Sequence, residues 1–451
     1  MKHVRGLAWP LASILAGTLM LALPAVAVGL LPPGHVIGNG TSAPAEGTDT
    51  AATSTLEQSG LGNCNSGAVV TYSTTSSPHA FGCDAALMGP RKNYLQNPGM
   101  RIAQLNGSSS VTIAGSSNQN IAVIDRWRVA ANGTGVITAQ QIATASPGGS
   151  PNRFKLTVAT ADTSVASTSW YYMEQKFPCW ESSDWNLGTA AYVPDLVFKF
   201  GVNAPAGTYG VTLLNNNDSY SYTTTFTVAS GQANADTYFV GTIPGANSIG
   251  SFACGGTNGP IGAVLVVDLG SGSNAQGTGG QWNNGLFHRT SAQYSWIGTA
   301  GNTFQLFDTQ LEVGSYPGPF VLPKYADDLR DAQVLLQPVG TDNNLIYGVG
   351  ISQTTTTADM YGVKLSPPMP GLVMSGAPVA DLNTTGTASN YEICNYGGAG
   401  CVSGSAVPDL LGYTANTVSI RFTVSSGLTA DSLQRLQASS SSVWLFIDNQ
   451  I

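Results

Sequence analysis

The sequence predicts an all-β protein, and three observations predict it. Charged residues are only 9% of the 451 residues while Gly numbers 54. Short β-branched and aromatic runs recur between Gly, Asn and Ser turns. Within such runs side chains alternate: in LVFKFG, 196–201, Leu196, Phe198 and Phe200 oppose Val197, Lys199 and Gly201. The length points to two or three domains. A net charge of −8 and 9% aromatic residues argue against disorder over most of the chain. With a pI near 4.9 there is no basic stripe to neutralise phosphates, so nucleic acid is not an expected partner.

Residues 1–31 form a separate unit. Lys2, His3 and Arg5 precede an almost wholly apolar run, 7–31, and Ala25-Val26-Ala27 is a small-x-small cleavage site. The segment reads as a secretory signal peptide cut after Ala27 or as an uncut anchor, since about 25 apolar residues can cross a bilayer core of roughly 30 Å. Residues 32–91 follow as a stalk with a small β unit. The stretch 32–66 is rich in Gly, Pro, Ser, Thr and Ala and too poor in large apolar groups to order itself. Val69, Val70 and Tyr72 mark a strand in the unit at 67–87.

From residue 92 strand-like runs come at short intervals: 136–141, 154–159, 170–177, 196–202, 209–214, 222–228, 237–243 and 261–268. Regular turn punctuation between short strands implies a sandwich, and the span 92–322 is long enough for its own core. Its last strand starts at Thr303. Alternation fails at Leu306-Phe307, which predicts a bulge there or burial on both faces. Gly314, Pro317 and Pro319 end that strand. A linker helix is expected at about 324–336, carrying Tyr325, Leu329, Ala332 and Leu336 on one face and Asp327 and Asp328 near its N-terminus. Residues 337–451 read as a smaller β-rich domain, with strands at 345–351, 363–365, 372–374, 418–424 and 443–447 and a short helix capped by Thr429 that carries Leu433 and Leu436.

Both ends of the middle span resemble phage and prophage tail-fibre-like proteins. The closing run matches through Gln310, Leu311, Glu312, Val313, Gly314, Ser315, Pro319, Phe320, Tyr325, Leu329 and Gln333, with Asp328 where that family has Glu and Ala332 where it has Cys. The opening run matches through Asn93, Leu95, Asn97, Met100, Ile102 and Gln104, with Lys92 for Arg, and Asp125, Arg126 and Trp127 match an A-D-R-W strand. Gly34, Val36, Gly38 and Asn39 resemble the family's spacer segments, and Pro367 and Met369 loosely match a strand that follows the domain. The resemblance implies a jelly-roll β-sandwich of the carbohydrate-binding-like kind in a virion protein that attaches to a host surface glycan. It also implies a homo-oligomer, with a trimer as one form. It places the protein on the virion surface. The N-terminal segment favours a secreted or envelope-anchored adhesin instead, and a membrane-containing virion anchored through 7–31 would reconcile the two. A polysaccharide depolymerase is the third reading.

Six cysteines behind an export-type segment suit disulfides, and sequential pairing keeps each within one unit: Cys64–Cys83, Cys179–Cys254 and Cys394–Cys401. The alternative is buried thiols. No C-x-x-C and few histidines leave no zinc site. No catalytic residues are assigned. His288 has no G-x-S-x-G motif beside it and reads as a loop or interface residue. Glycan cleavage needs two carboxylates about 5 to 9.5 Å apart, whereas Asp308 and Glu312 on one strand face would lie about 13 Å apart. Glu312 reads as a structural hydrogen-bonder. No cofactor is expected. The related jelly rolls can hold a structural calcium, for which Asp308 is the first residue to test, but no metal ligand is assigned.

Sugar binding needs an aromatic face for the ring and amides or carboxylates for its hydroxyls. Trp282, beside Asn283 and Asn284 in the Gly-rich segment 270–285, is the leading candidate. Tyr294 and Trp296 follow it, Trp180 and Trp185 lie in a Cys/Ser/Asp-containing segment, and Tyr220 follows an amide run. Trp127, mid-strand between Ile124 and Val129, reads as core.

Overall fold

The computed structural model describes residues 69–73, 80–84, 91–188, 193–215, 217–252, 261–338, 346–369, 381–384, 388–395, 400–414, 416–438 and 445–448. The expectations for 1–31, the 32–66 stalk, Cys64 and the strand at 372–374 lie outside them. Among the described residues no helix is long and apolar enough to cross a membrane. Two strands, β1 (Val69–Ser73) and β2 (Ala80–Asp84), form a small sheet by themselves.

Two facing sheets build the sandwich. One has the order β14 (Trp282–Asn284), β11 (Tyr220–Val228), β10 (Gly207–Asn215), β13 (Ile261–Asp268), β8 (Trp170–Pro178), β5 (Trp127–Asn132) and β4 (Gln119–Ile124). The other has the order β12 (Thr237–Ile243), β9 (Leu196–Asn203), β15 (Thr303–Val313), β7 (Arg153–Thr160), β6 (Val136–Ile142) and β3 (Val111–Ala114). All pairings within them are antiparallel, and non-sequential neighbours such as β15 between β9 and β7 are what a jelly roll requires. Trp127, Phe154, Trp185, Phe198, Tyr209 and Trp296 lie in one buried cluster between the sheets.

The opening segment lies along the closing strand. Asn93 donates from Nδ2 to the carbonyl of Thr309 (2.8 Å) and accepts at Oδ1 from the amides of Leu311 (2.9 Å) and Leu95 (3.0 Å). Tyr94 N donates to Leu311 O at 2.8 Å. Asn97 donates to the carbonyls of Ile102 (2.8 Å) and Asp125 (3.0 Å), and Gln104 N donates to Asp125 Oδ1 (2.8 Å). The matched residues therefore serve to close the sandwich on itself. Glu312 accepts from Gly318 N at 2.7 Å and from Gln310 Nε2 at 2.9 Å, a structural role.

Three local expectations need correction, and one pair of alternatives is resolved. The A-D-R-W run is not one strand: Asp125 and Arg126 turn between β4 and β5, with Arg126 at φ +75°. Its guanidinium donates to Lys176 O (3.0 Å), which holds the turn inward. Of the two readings for Leu306-Phe307 in β15, burial on both faces holds: both are fully buried, and a bulge lies just beyond them, between Phe307 and Gln310, with Asp308 at φ +49°. The linker helix, α2 (Tyr325–Gln333), stops before Leu336, which begins the strand β16 (Leu336–Pro338). Its buried face is Asp328 and Ala332; Tyr325 is exposed. Arg101 decides that orientation, meeting Asp328 at 2.9 Å and donating to Pro323 O at 2.6 Å. Finally, 433–438 is not helical but the strand β23 (Leu433–Ala438), claimed by pairing on both sides.

The C-terminal part is a closed six-stranded barrel: β17 (Ile346–Ser352), β18 (Thr357–Lys364), β22 (Thr417–Val424), β21 (Cys401–Tyr413), β20 (Tyr391–Asn395) and β23. Tyr391, Ile393, Ile420, Phe422 and Leu436 fill it. A small sheet of β16, β24 (Leu445–Asp448) and β19 (Asp381–Thr384) accompanies it. Cys394 and Cys401 are bonded to each other across β20 and β21. Cys179 is also disulfide-bonded; its expected partner Cys254, like the expected Cys64–Cys83 bond, lies outside the described residues. Closing a loop with a separation of 7 residues restricts the unfolded chain. Cys394→Ser is expected to lower stability by about 2–3 kcal/mol in chemical denaturation, and reductant should reproduce part of the loss.

Candidate functional site

Alternation decides which side chains of β8 leave the core. Tyr171, Met173 and Phe177 point inward, so Trp170, Tyr172, Glu174 and Lys176 lie on the outer face of the seven-stranded sheet. In β13 the inward residues are Ala263, Leu265 and Val267, which puts Val264, Val266 and Asp268 on that same outer face.

Beyond β13 the Gly-rich segment 271–293 lies along the outer side of β10 and β11. Gly280 N donates to Thr223 O (2.8 Å), and Thr223 Oγ1 donates to Phe287 O (3.3 Å). Gly210 is needed for this approach, because a Cβ there would stand 2.7 Å from both His288 O and Gln293 Oε1. The buried Asp268 anchors the segment. Its carboxylate accepts from the amides of Gly270 (2.8 Å) and Ser271 (3.0 Å), from Gln293 Nε2 and from His288 Nδ1. With Nδ1 donating, Nε2 is the ring atom left for other contacts. Tyr172 meets the His288 ring edge-on at 5.0 Å, and burial first, then the charge of Glu174, pushes the Tyr172 phenol well above its ordinary pKa, keeping it neutral.

Two pockets flank the two arms of this loop. The arms are pinned by a parallel bridge between Gln276 and Arg289 and by His288 N donating to Ala275 O (3.0 Å). On one side a cavity of about 290 Å³ is lined by Trp170, Asn274, Ala275, Leu286 and His288, with Ser167–Ser169 at its rim. On the other a cavity of about 410 Å³ is lined by Gln276, Thr278, Asn283, Phe287 and Thr290. Successive residues thus serve opposite pockets: Ala275 and His288 one, Gln276 and Phe287 the other. Thr290 is buried, and its hydroxyl has no partner among the described residues.

The six aromatic candidates fall elsewhere. Trp185 and Trp296 have no exposed surface; Trp185 packs edge-on against Tyr94 (5.5 Å) and Phe177 (5.1 Å), so no sugar ring can reach either face. On the β11–β14 edge Trp282 pairs with Tyr222 (ring centroids 5.5 Å) and Tyr220 with Asn284; Trp282 and Tyr220 are both half-buried against the core rim, with Trp282 Nε1 donating to Pro244 O (3.0 Å). Tyr294 is edge-on to Tyr209 at 6.0 Å, and Trp180 is half-buried in the one-turn helix α1 (Cys179–Ser182). None of the six lines either pocket, although Asn283, beside Trp282, does. Trp170, His288, Asn274 and Thr290 were not singled out as ligands in the sequence. The usable signal is phase: in WYYMEQKF, Trp170 falls on the face opposite to the core residues Tyr171, Met173 and Phe177.

Chemically the loop offers hydrogen bonds and apolar faces. Asp268 and His288 are aligned as an acid–imidazole pair, yet among the described residues no hydroxyl is hydrogen-bonded to His288. Asp308 is ringed by donors: Ser146 Oγ (2.6 Å), Gly148 N (3.0 Å), Ser150 Oγ and Tyr238 OH (2.5 Å). That surrounding satisfies a carboxylate without a cation. Glu392 lies near Cys394 and Cys401, but both sulfurs are bonded to each other and cannot ligate.

On the outer face of the six-stranded sheet Arg153 grips Asp236 with two bonds of 2.7 Å, and Asn203 adds a third at 2.9 Å. The Arg153 hydrogen bonds hold the Asp236 carboxyl below the usual carboxylate range. A depressed folded pKa means stabilisation that is complete above the unfolded value, near pH 4, and lost as pH falls through the folded one. Asp236→Asn is therefore expected to be less stable than wild type at pH 7, with the gap closing in acid; thermal midpoints between pH 2 and 7 check this.

No protein-family model matches the chain, and no curated protein matches it. Among solved structures it is similar to an enzymatically active domain of tailspike protein 4 of bacteriophage CBA120 (8% identity, 49% of this chain and 21% of that one, TM-score 0.26). It is also similar to a family 11 carbohydrate-binding module of Clostridium thermocellum solved with a mixed-linked tetrasaccharide (6% identity, 46% and 97%, TM-score 0.23) and to a putative sugar-binding protein of Bacteroides thetaiotaomicron (16% identity, 49% and 100%, TM-score 0.23). The chain spans about a fifth of that tailspike's length. At TM-scores this low the similarities carry no argument about what the chain does.

Proposed function

We propose that this protein binds a glycan without cleaving it and, as a fibre-like virion component, attaches to a host surface polysaccharide. The observation that carries the reading is the 271–293 loop held along the sheet by Asp268, with a pocket on each side that joins an aromatic ring to amides and hydroxyls. The half-exposed rings of Trp282, Tyr220, Tyr294 and Trp180 are candidates for outer contacts. The opening and closing motifs support the virion assignment, since the residues that carry the tail-fibre resemblance are those that close the sandwich. Several copies on one particle would multiply a weak single-site affinity. Glycan arrays and host-cell pull-downs with the full chain test the reading: host polysaccharide should be retained with its chain length unchanged. No retention defeats it, and shortened chains replace it with a depolymerase.

A second reading, a secreted or envelope-anchored adhesin, is favoured by the apolar run 7–31. Finding the protein in purified particles, or only in the cell envelope, separates the two.

A further inference from the structure

We propose that the smaller pocket beside the 271–293 loop is a subsite for one sugar residue bearing a methyl group, as N-acetyl and 6-deoxy sugars do. This rests on the glycan-binding reading and adds a chemical class to it. The volume of about 290 Å³ lies at the low end of ligand cavities, so it suits one ring and not a run of them. Trp170, turned outward from β8, forms one wall, and Leu286 with Ala275 forms another. Leu286 is 49% exposed and presents its side chain at the cavity although it sits in a loop rich in Gly and Asn. A plain hexose would strand hydroxyls against Leu286 and Ala275, at the cost of their lost water contacts. A methyl group gains from the same surface. The polar side is His288, only 5% exposed, whose Nδ1 is committed to Asp268. Its Nε2 therefore offers one fixed hydrogen-bonding position to an amide or hydroxyl, and Asn274 offers a second.

The test is titration of the full-length protein, followed by ligand-observed NMR, with two matched pairs: N-acetylglucosamine against glucose, and L-fucose against L-galactose. The methyl-bearing member of at least one pair should bind about fourfold tighter or more, the gain expected for one buried methyl; which pair responds tells the acetyl source from the deoxy source. Leu286→Asp should erase the preference, with Leu286→Asn as a second variant if the first misfolds. His288→Gln should weaken both members of the pair, and Val240→Ala, on the exposed side of β12 in the other sheet, should change neither. Equal binding within both pairs, or a preference that survives both Leu286 variants at an unchanged thermal midpoint, overturns the proposal. If host polysaccharide binds and no monosaccharide does, the subsite falls and glycan binding stands; if nothing binds, both fall.

Discussion

Replacing Trp185 with Ala is expected to destabilise the sandwich by about 3–5 kcal/mol, a large share of the stability of an ordinary domain. The indole is fully buried and wedged edge-on between Tyr94 and Phe177, so truncation opens a cavity that two large rings cannot close. Trp180, five residues earlier and half-buried, should cost about 1 kcal/mol or less on the same change. Urea unfolding of both variants, with glycan binding measured alongside, checks the assignment. A Trp185→Ala protein as stable as wild type but unable to bind glycan would mean that the indole serves the ligand and not the core.

The second large effect is expected at Asn93. Its side chain donates to Thr309 O and accepts from Leu311 N, so it replaces a missing ladder partner for β15. Asn93→Ala leaves a buried carbonyl and a buried amide unpaired, at about 1–3 kcal/mol each, and should lower stability by about 2–4 kcal/mol in total. Asn93→Asp keeps the acceptor and loses the donor, and should fall between. Native-state hydrogen exchange at 309–313 should accelerate in the Ala variant before the rest of the sandwich does. Unchanged protection there would show that the opening segment does not secure the closing strand.

Much of this fold is legible along the chain, and the legible part has one cause. Strands such as 237–243 and 418–424 declare themselves because a half-buried strand repeats every two residues and its ends fall near Gly, Asn, Asp and Ser. The misread elements are those where something distant in sequence outweighs the local pattern. Leu433 and Leu436 have helical spacing, yet β17 and β20 recruit their segment into the barrel. Asp125-Arg126 looks like strand interior and is a turn because Asn97 and Gln104 bond to Asp125.

The candidate site divides in the same way. Composition pointed to the Gly-rich segment 270–285, and the pockets lie along it. Composition could not tell which aromatic rings face solvent: Trp185 and Trp296 fill the core, while Trp170 reaches a pocket. The alternation of hydrophobic side chains and the placement of glycines determined, without any coordinates, that this chain is all-β and where most of its strands run. Which rings stay open, and that Asp268 and His288 meet to anchor a loop, was decided only by packing two sheets together, because burial belongs to pairs of surfaces and no residue carries it alone.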